Sequence, residues 1–166
     1  MDVIMKRASI RKYLPDPVSE EDIDGMIRAG MAAPSAHNRQ PWHFIIITER
    51  TLLEAIPNIH PYTRMLLTAP TAIVVCGTHK ELEENPFMPQ DLAAATQNIL
   101  LEATDRGLGS CWCGVYPKES LQNALSELLG LPKAVVPFSI IALGKPAETK
   151  KTNKPYDSLR IHRNGW

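Results

Sequence analysis

Apolar residues recur along this chain in two rhythms. In VSEEDIDGMIRAG, residues 18–30, Ile23, Met26 and Ile27 fall on one helical stripe. Ser19 stands at the N-cap position, and Asp22 three residues on can close a capping box. Val18 and Ile23 are spaced for a hydrophobic staple, and Gly30 is expected to end the helix. QDLAAATQNILLEATDRG, residues 90–107, reads as the longest helix. Leu92, Thr96, Ile99, Leu100 and Ala103 share a face there, and Gly107 is placed to stop it. KESLQNALSELLG, residues 118–130, is a third helix, closed by Gly130 with Pro132 beyond. Between these lie continuous apolar runs. HFIIIT (43–48) reads as a buried strand, TAIVVCG (71–77) as a second strand set off by Pro70, and LGSCWCGVY (108–116) as a short one. AVVPFSIIALG (134–144) is also a strand, although Pro137 requires an edge position or a bulge.

Helices and strands alternate, but several strands lie close together. That predicts an α+β fold or a three-layer sandwich around a mixed sheet. There are no repeats and no internal linker, so residues 1–166 are expected to form a single domain. Residues 145–166 differ in being polar, Lys-rich and without periodicity. They are either a loosely ordered end or an arm. Tyr156, Leu159, Ile161 and the last residue, Trp166, favour docking on something, with a second subunit as one option.

Composition narrows the classes. Hydrophobic residues make up 44% of the chain and charged ones 22%, which is ordinary for a globular domain. A formal net charge of zero argues against nucleic acid or an anionic membrane as the main partner. Cys76, Cys111 and Cys113 are odd in number, and no secretory signal pattern opens the chain. Free thiols in the cytoplasm are expected. No run reaches the roughly 18 apolar residues of a membrane span.

Three stretches could carry chemistry. RASIRKY, residues 7–13, places Arg7, Ser9 and Arg11 within five positions of one another, as either a phosphate clamp or a solvated basic helix end. APSAHNRQPW, residues 33–42, sets Ser35, His37, Asn38, Arg39 and Gln40 on a backbone stiffened by Pro34 and Pro41. It suits recognition of a flat polar heterocycle, or it is a rigid turn packed by Trp42. GLGSCWCG, residues 107–114, has glycines that allow a ligand to approach the backbone, but not the spacing of a dinucleotide fingerprint. Its two cysteines share a strand face in poor geometry for a disulfide, and no metal is expected there. His43 is expected to be a packed core residue. Nucleophile-elbow, zincin and P-loop patterns are absent from the sequence.

RASIRKY, AAPSAHNRQPWHF, QNILLEATDRGLGSCWCG, IIALGKPAE and RIHRNGW, in that order, resemble the nitroreductase family of flavin enzymes, and the resemblance covers nearly the whole chain. It implies an α+β fold, a three-layer α/β/α sandwich with a mixed, mainly antiparallel sheet, and a homodimer with FMN at the subunit interface and C-terminal arms exchanged between subunits. It implies that Arg7, Ala8 and Ser9 hold the phosphate and ribityl end. Arg11 and Arg64 would face the ring. Pro34, Ser35, Ala36 and Asn38 would meet the same flavin from the other subunit. Cys113 and Gly114 would run past the ring, and Lys154 and Arg160 are candidates to complete the phosphate site. NADH or NADPH would be the donor and a nitroaromatic, quinone or similar small molecule the acceptor. No protein residue need act as nucleophile or acid–base catalyst. Other flavin chemistry on the same fold, or a flavin-binding module without catalysis, are the rival readings.

Overall fold

A computed structural model describes residues 2–150 and 156–166. The helices are α1 Asp2–Lys6, α2 Glu20–Met31, α3 Arg50–Ile59, α4 His79–Glu84, α5 Met88–Asp105 and α6 Glu119–Leu129. The strands are β1 His43–Ile47, β2 Thr71–Thr78, β3 Gly109–Gly114 and β4 Val135–Gly144. They form one sheet in the order β1-β2-β4-β3, and each neighbouring pair is antiparallel. The expected mixed character reduces to one parallel bridge, Ser9 with Ser110 on the outer edge of β3.

Alternation along the strands divides the core in two. Ala72, Val74 and Cys76 of β2, with Ile140 and Ala142 of β4, pack toward Leu53 and Ile56 of α3 and Leu125 of α6. Ile73 and Val75, with Ile141 and Leu143, pack toward Ile23 and Met26 of α2 and Leu92, Ile99 and Ala103 of α5. Both faces of β2 and β4 are covered, which is why those strands read as unbroken apolar runs. The result is the expected three-layer α/β/α arrangement.

Several local expectations hold. Ser19 Oγ accepts from the Asp22 N–H at 3.1 Å and donates to the Asp22 carboxylate at 2.6 Å. Gly107 and Gly130 follow their helices with positive φ. Pro137 lies in an inner strand, and the register of β2 against β4 shifts between Val75 and Cys76, opposite it. This is the bulge that a ring nitrogen without a donor requires.

Other expectations fail. Gly30 does not end α2; the helix continues to Met31. A Cβ at Gly30 would lie 3.0 Å from Ile99 Cδ1 and 3.2 Å from Phe44 Cζ, so the glycine permits close packing on α5. β1 is not a buried strand. It forms the sheet edge, His43 is exposed rather than packed, and Ile46 is 45% exposed. α3 is a helix that the sequence does not foretell, because Pro57 stands inside it.

Candidate functional site

The site begins at β3, the sheet's other edge strand. An edge strand offers backbone groups that no neighbouring strand satisfies. At its start, the Ile10 N–H donates to the Ser110 carbonyl at 3.0 Å, which seats residues 7–13 beside the strand. At its end, the Gly114 carbonyl accepts from His60 Nε2 at 2.9 Å. The Tyr62 N–H donates to His60 Nδ1 at 3.3 Å, which fixes the proton on Nε2. His60 is 3% exposed and is a buried bracket between the two segments. A second tie joins the same segments: Cys113 Sγ donates to the Tyr62 carbonyl at 3.3 Å. Thr63 Oγ1 donates to the His60 carbonyl at 2.7 Å and tightens the turn that follows.

These contacts shape a cleft of about 900 Å³. One side is Arg11, Lys12 and Tyr13. The floor is Cys111, Trp112, Cys113 and Gly114, and the far side runs from His60 to Thr68 through Tyr62 and Arg64. Nothing stands within 4 Å of where a Cβ on Gly114 would lie, so a flat group can lie against the backbone there. Arg11 and Arg64 both line the cleft and both are exposed.

The residues behind Arg11 fix its backbone. The Glu148 carboxylate accepts the Arg11 N–H at 2.6 Å, and Lys150 Nζ donates to the Ser9 carbonyl at 2.8 Å. The hydrogen bond from the Arg11 backbone, with help from Lys150, holds the Glu148 carboxyl below its usual range. Tyr13 Oη donates to the Ile10 carbonyl at 2.6 Å, and burial pushes its phenol well above the ordinary value. Cys111 and Cys113 share one strand face as expected, both buried and both free thiols. Hydrogen bonding to Cys113 lowers the Cys111 thiol, with the Arg11 and Lys150 charges adding to it; the same contact and burial raise Cys113. With both thiols protonated, the single Cys113 proton goes to the Tyr62 carbonyl.

Residues 33–42 lie elsewhere. Pro34, Ser35 and Ala36 line a shallow hollow of about 320 Å³ with Phe87, Gln90, Asp91 and Ala94. Their backbone is strained: His37, Asn38 and Gln40 have φ of 53°, 53° and 51°. Asp91, 5% exposed in the first turn of α5, accepts the Ala36 N–H at 2.9 Å and the Asn85 side-chain amide at 3.1 Å. Ser35 Oγ accepts the Gln40 N–H at 3.0 Å, and Asn38 Oδ1 accepts from Gln40 Nε2 at 3.2 Å.

Of the residues singled out from the sequence, the structure gathers Arg11, Arg64, Cys113 and Gly114 in the cleft. Ala8 packs against the core, and Ser9 lies along β3. Arg7 directly precedes them. Pro34, Ser35 and Ala36 are in the separate hollow, and Asn38 is in the same loop. Arg160 is on the tail, its Nε 3.0 Å from Asp157 Oδ2. Lys154 lies outside the described residues.

The profile of the nitroreductase family matches residues 4–63 and 57–145. The chain belongs to the nitroreductase family. A relative from Methanothermobacter thermautotrophicus, provisionally named NADH dehydrogenase/NAD(P)H nitroreductase, is 46% identical over all of this chain and 87% of its own. A crystal structure from Parabacteroides distasonis, under the same provisional name, superposes with a TM-score of 0.94. It is 41% identical and covers 99% of this chain and 97% of the other. A nitroreductase-type structure from Desulfovibrio desulfuricans, solved in complex with FMN, has a TM-score of 0.82 at 28% identity. It covers 99% of this chain and 96% of its own.

Within this nitroreductase fold, His60, Tyr62, Asp91, Glu148 and Lys150 escaped the sequence reading. Each is a single residue whose partner is distant along the chain. The one available signal was His60 and Tyr62 flanking Pro61, just ahead of Arg64.

Proposed function

We propose that this protein is an FMN-dependent oxidoreductase that uses NADH or NADPH to reduce a nitroaromatic, quinone or similar small acceptor. The observation that carries this is the cleft itself, with two arginines facing an open strand edge where Gly114 leaves the backbone uncovered. A volume of about 900 Å³ accommodates a tricyclic ring, and the donor set suits a ring that gains negative charge on reduction. The residues fit the cofactor on both counts.

FMN, when bound, supplies the hydride-accepting and hydride-donating centre; the protein supplies position and charge. Arg11 and Arg64 set positive charge beside the ring. Gly114 and Cys113 offer backbone against its edge, and His60 holds that backbone in place. Arg7, Ala8 and Ser9, with Lys154 and Arg160, are assigned to the phosphate end. No side chain here is asked to form a covalent bond with substrate. One open cleft serving donor and acceptor in turn gives ping-pong kinetics.

The site is completed by a second copy of the chain. Two features support this. The strained loop and the cleft are separate hollows of one chain, and Pro34, Ser35, Ala36 and Asn38 are assigned to the partner's cofactor. Tyr156, Leu159 and Trp166 are 82%, 85% and 103% exposed, as expected of an arm that packs on another subunit. On this reading residues 1–166 are one FMN-binding domain; of the arm expected over residues 145–166, residues 145–150 lie along residues 9–14 of their own chain, and the exposed end, residues 156–166, is the part offered to the partner. The free thiols fit the cytoplasm. Among the described residues no helix is long and apolar enough to cross a membrane.

The test is an absorbance spectrum after FMN loading and desalting, repeated anaerobically with NADH or NADPH. A retained flavin spectrum that bleaches is the expected result; a colourless protein removes the site assignment. Arg11→Ala is expected to slow flavin reduction by on the order of a hundredfold, the loss typical of one transition-state charge donor. An unchanged reduction rate and unchanged FMN affinity would refute the role given to Arg11.

A further inference from the structure

Four aromatic rings line the cleft: Tyr13, His60, Tyr62 and Trp112. Three of them are committed. Tyr13 is 6% exposed, and its hydroxyl is bound to the Ile10 carbonyl. His60 is buried, with both ring nitrogens occupied. Trp112 packs on Phe138, with ring centroids 6.0 Å apart, among the residues of the α2–α5 layer. Tyr62 is different. It is 73% exposed, and among the described residues its ring neighbour is His60, with centroids 6.3 Å apart and planes at 73°, which leaves most of the ring open.

An exposed aromatic on a mobile turn would mean little. Tyr62 is not on one. Its N–H is held by His60 Nδ1 and its carbonyl by Cys113 Sγ, so both flanking peptides are tied to buried groups. Pro61 fixes the backbone before it. The chain ties the Tyr62 backbone on both sides while leaving most of its ring exposed. That combination lowers the entropy lost when a flat ligand settles on the ring.

We infer that Tyr62 is a specificity-determining residue: a pre-positioned stacking platform at the cleft mouth that selects planar aromatic or quinoid acceptors over compact non-planar ones. This rests on the oxidoreductase reading above. Offset stacking acts on the ring of the acceptor and not on the chemistry. The effect therefore falls on acceptor binding, and His60 and Cys113 act as positioning residues through the Tyr62 backbone.

The experiment compares wild type, Tyr62→Leu and Tyr62→Phe as FMN-loaded protein. Steady-state reduction of a planar naphthoquinone is set against that of ferricyanide, which has no ring to stack. Calorimetric titration with coumarin, a planar probe that is bound but not turned over, gives a readout free of catalysis. Tyr62→Leu is expected to lower the naphthoquinone-to-ferricyanide ratio of kcat/KM about fivefold to tenfold, through the quinone KM, and to weaken coumarin to match. Tyr62→Phe keeps both ring and ratio. An unchanged ratio in Tyr62→Leu overturns the inference and leaves the oxidoreductase reading standing. An equal fall for both acceptors makes Tyr62 merely structural and also overturns it. A wild type that retains no flavin or reduces neither acceptor removes both proposals together.

Discussion

In the cleft, ordinary backbone is pinned from outside by side chains such as His60 and Glu148. In residues 33–42, by contrast, three of four successive residues from His37 to Gln40 carry left-handed angles, and the turn is held to the body by the buried Asp91 carboxylate and, at the surface, by Arg39 at 3.6 Å from Glu81 and Glu84. Left-handed backbone costs about 1 kcal/mol per non-glycine residue. The loop is therefore strained and dependent on its anchor, while the cleft wall is relaxed and tied at several points. A rigid surface can be built either way, but the two should fail differently when one tie is cut.

Asp91→Ala is expected to have the largest effect. It removes a charged acceptor from the Ala36 N–H and the Asn85 amide and leaves both donors without it. Stability should fall by about 3 kcal/mol in urea unfolding. Amide exchange at Ala36 should rise sharply while the end of β3 stays protected. A loss below about 1 kcal/mol, or exchange spread evenly over both regions, would contradict the idea that Asp91 is the main anchor.

His60→Ala tests the other side. It frees the Gly114 carbonyl and the Tyr62 N–H, but Cys113 Sγ still holds the Tyr62 carbonyl. The expected cost is about 2 kcal/mol, smaller because one tie survives. Here the pattern inverts: exchange rises at Tyr62 and Ala36 remains protected. If both variants loosened both regions, the two surfaces would be one cooperative unit and the contrast would dissolve.

The same contrast explains what the sequence disclosed. α2, α5, β2 and β4 are legible because periodicity and burial agree in them. β1 misleads, since an apolar run records strand propensity and not whether the strand is at an edge. α3 hides behind Pro57. In the site, Arg11, Arg64, Cys113 and Gly114 sit in motifs and were found with the family resemblance. His60 and Asp91 were not, because their meaning lies in partners 54 and 55 residues away. Glu148 and Lys150 reach across 137 and 141 residues to meet the backbone of Arg11 and Ser9. Motifs mark the groups that line the cleft; the groups that hold those in place are single residues with no local pattern.

The smallest effect concerns the path into the loop. α2 leads directly to residues 33–42, and its start is fixed by Ser19, Asp22 and the contact from Arg106 Nη1 to Asp22 Oδ1 at 3.1 Å. Ser19→Ala should cost about 1 kcal/mol near neutral pH by removing the cap. The Ser19 hydroxyl, and after it Arg106, hold the Asp22 carboxyl below its usual range. A depressed carboxyl contributes stability that is present above its unfolded pKa of about 3.9 and is lost as pH falls through the folded value. The penalty of Ser19→Ala should therefore shrink on acidification below about pH 4, as wild type loses the same contribution. Urea midpoints at neutral and acid pH measure this, and a penalty constant across that range would show that the cap acts through the Asp22 N–H alone. Since α2 also packs closely on α5 at Gly30, exchange at Ala36 should change little. If Ser19→Ala loosened Ala36 as Asp91→Ala does, the anchor of the loop would be the α2 terminus and not the buried carboxylate.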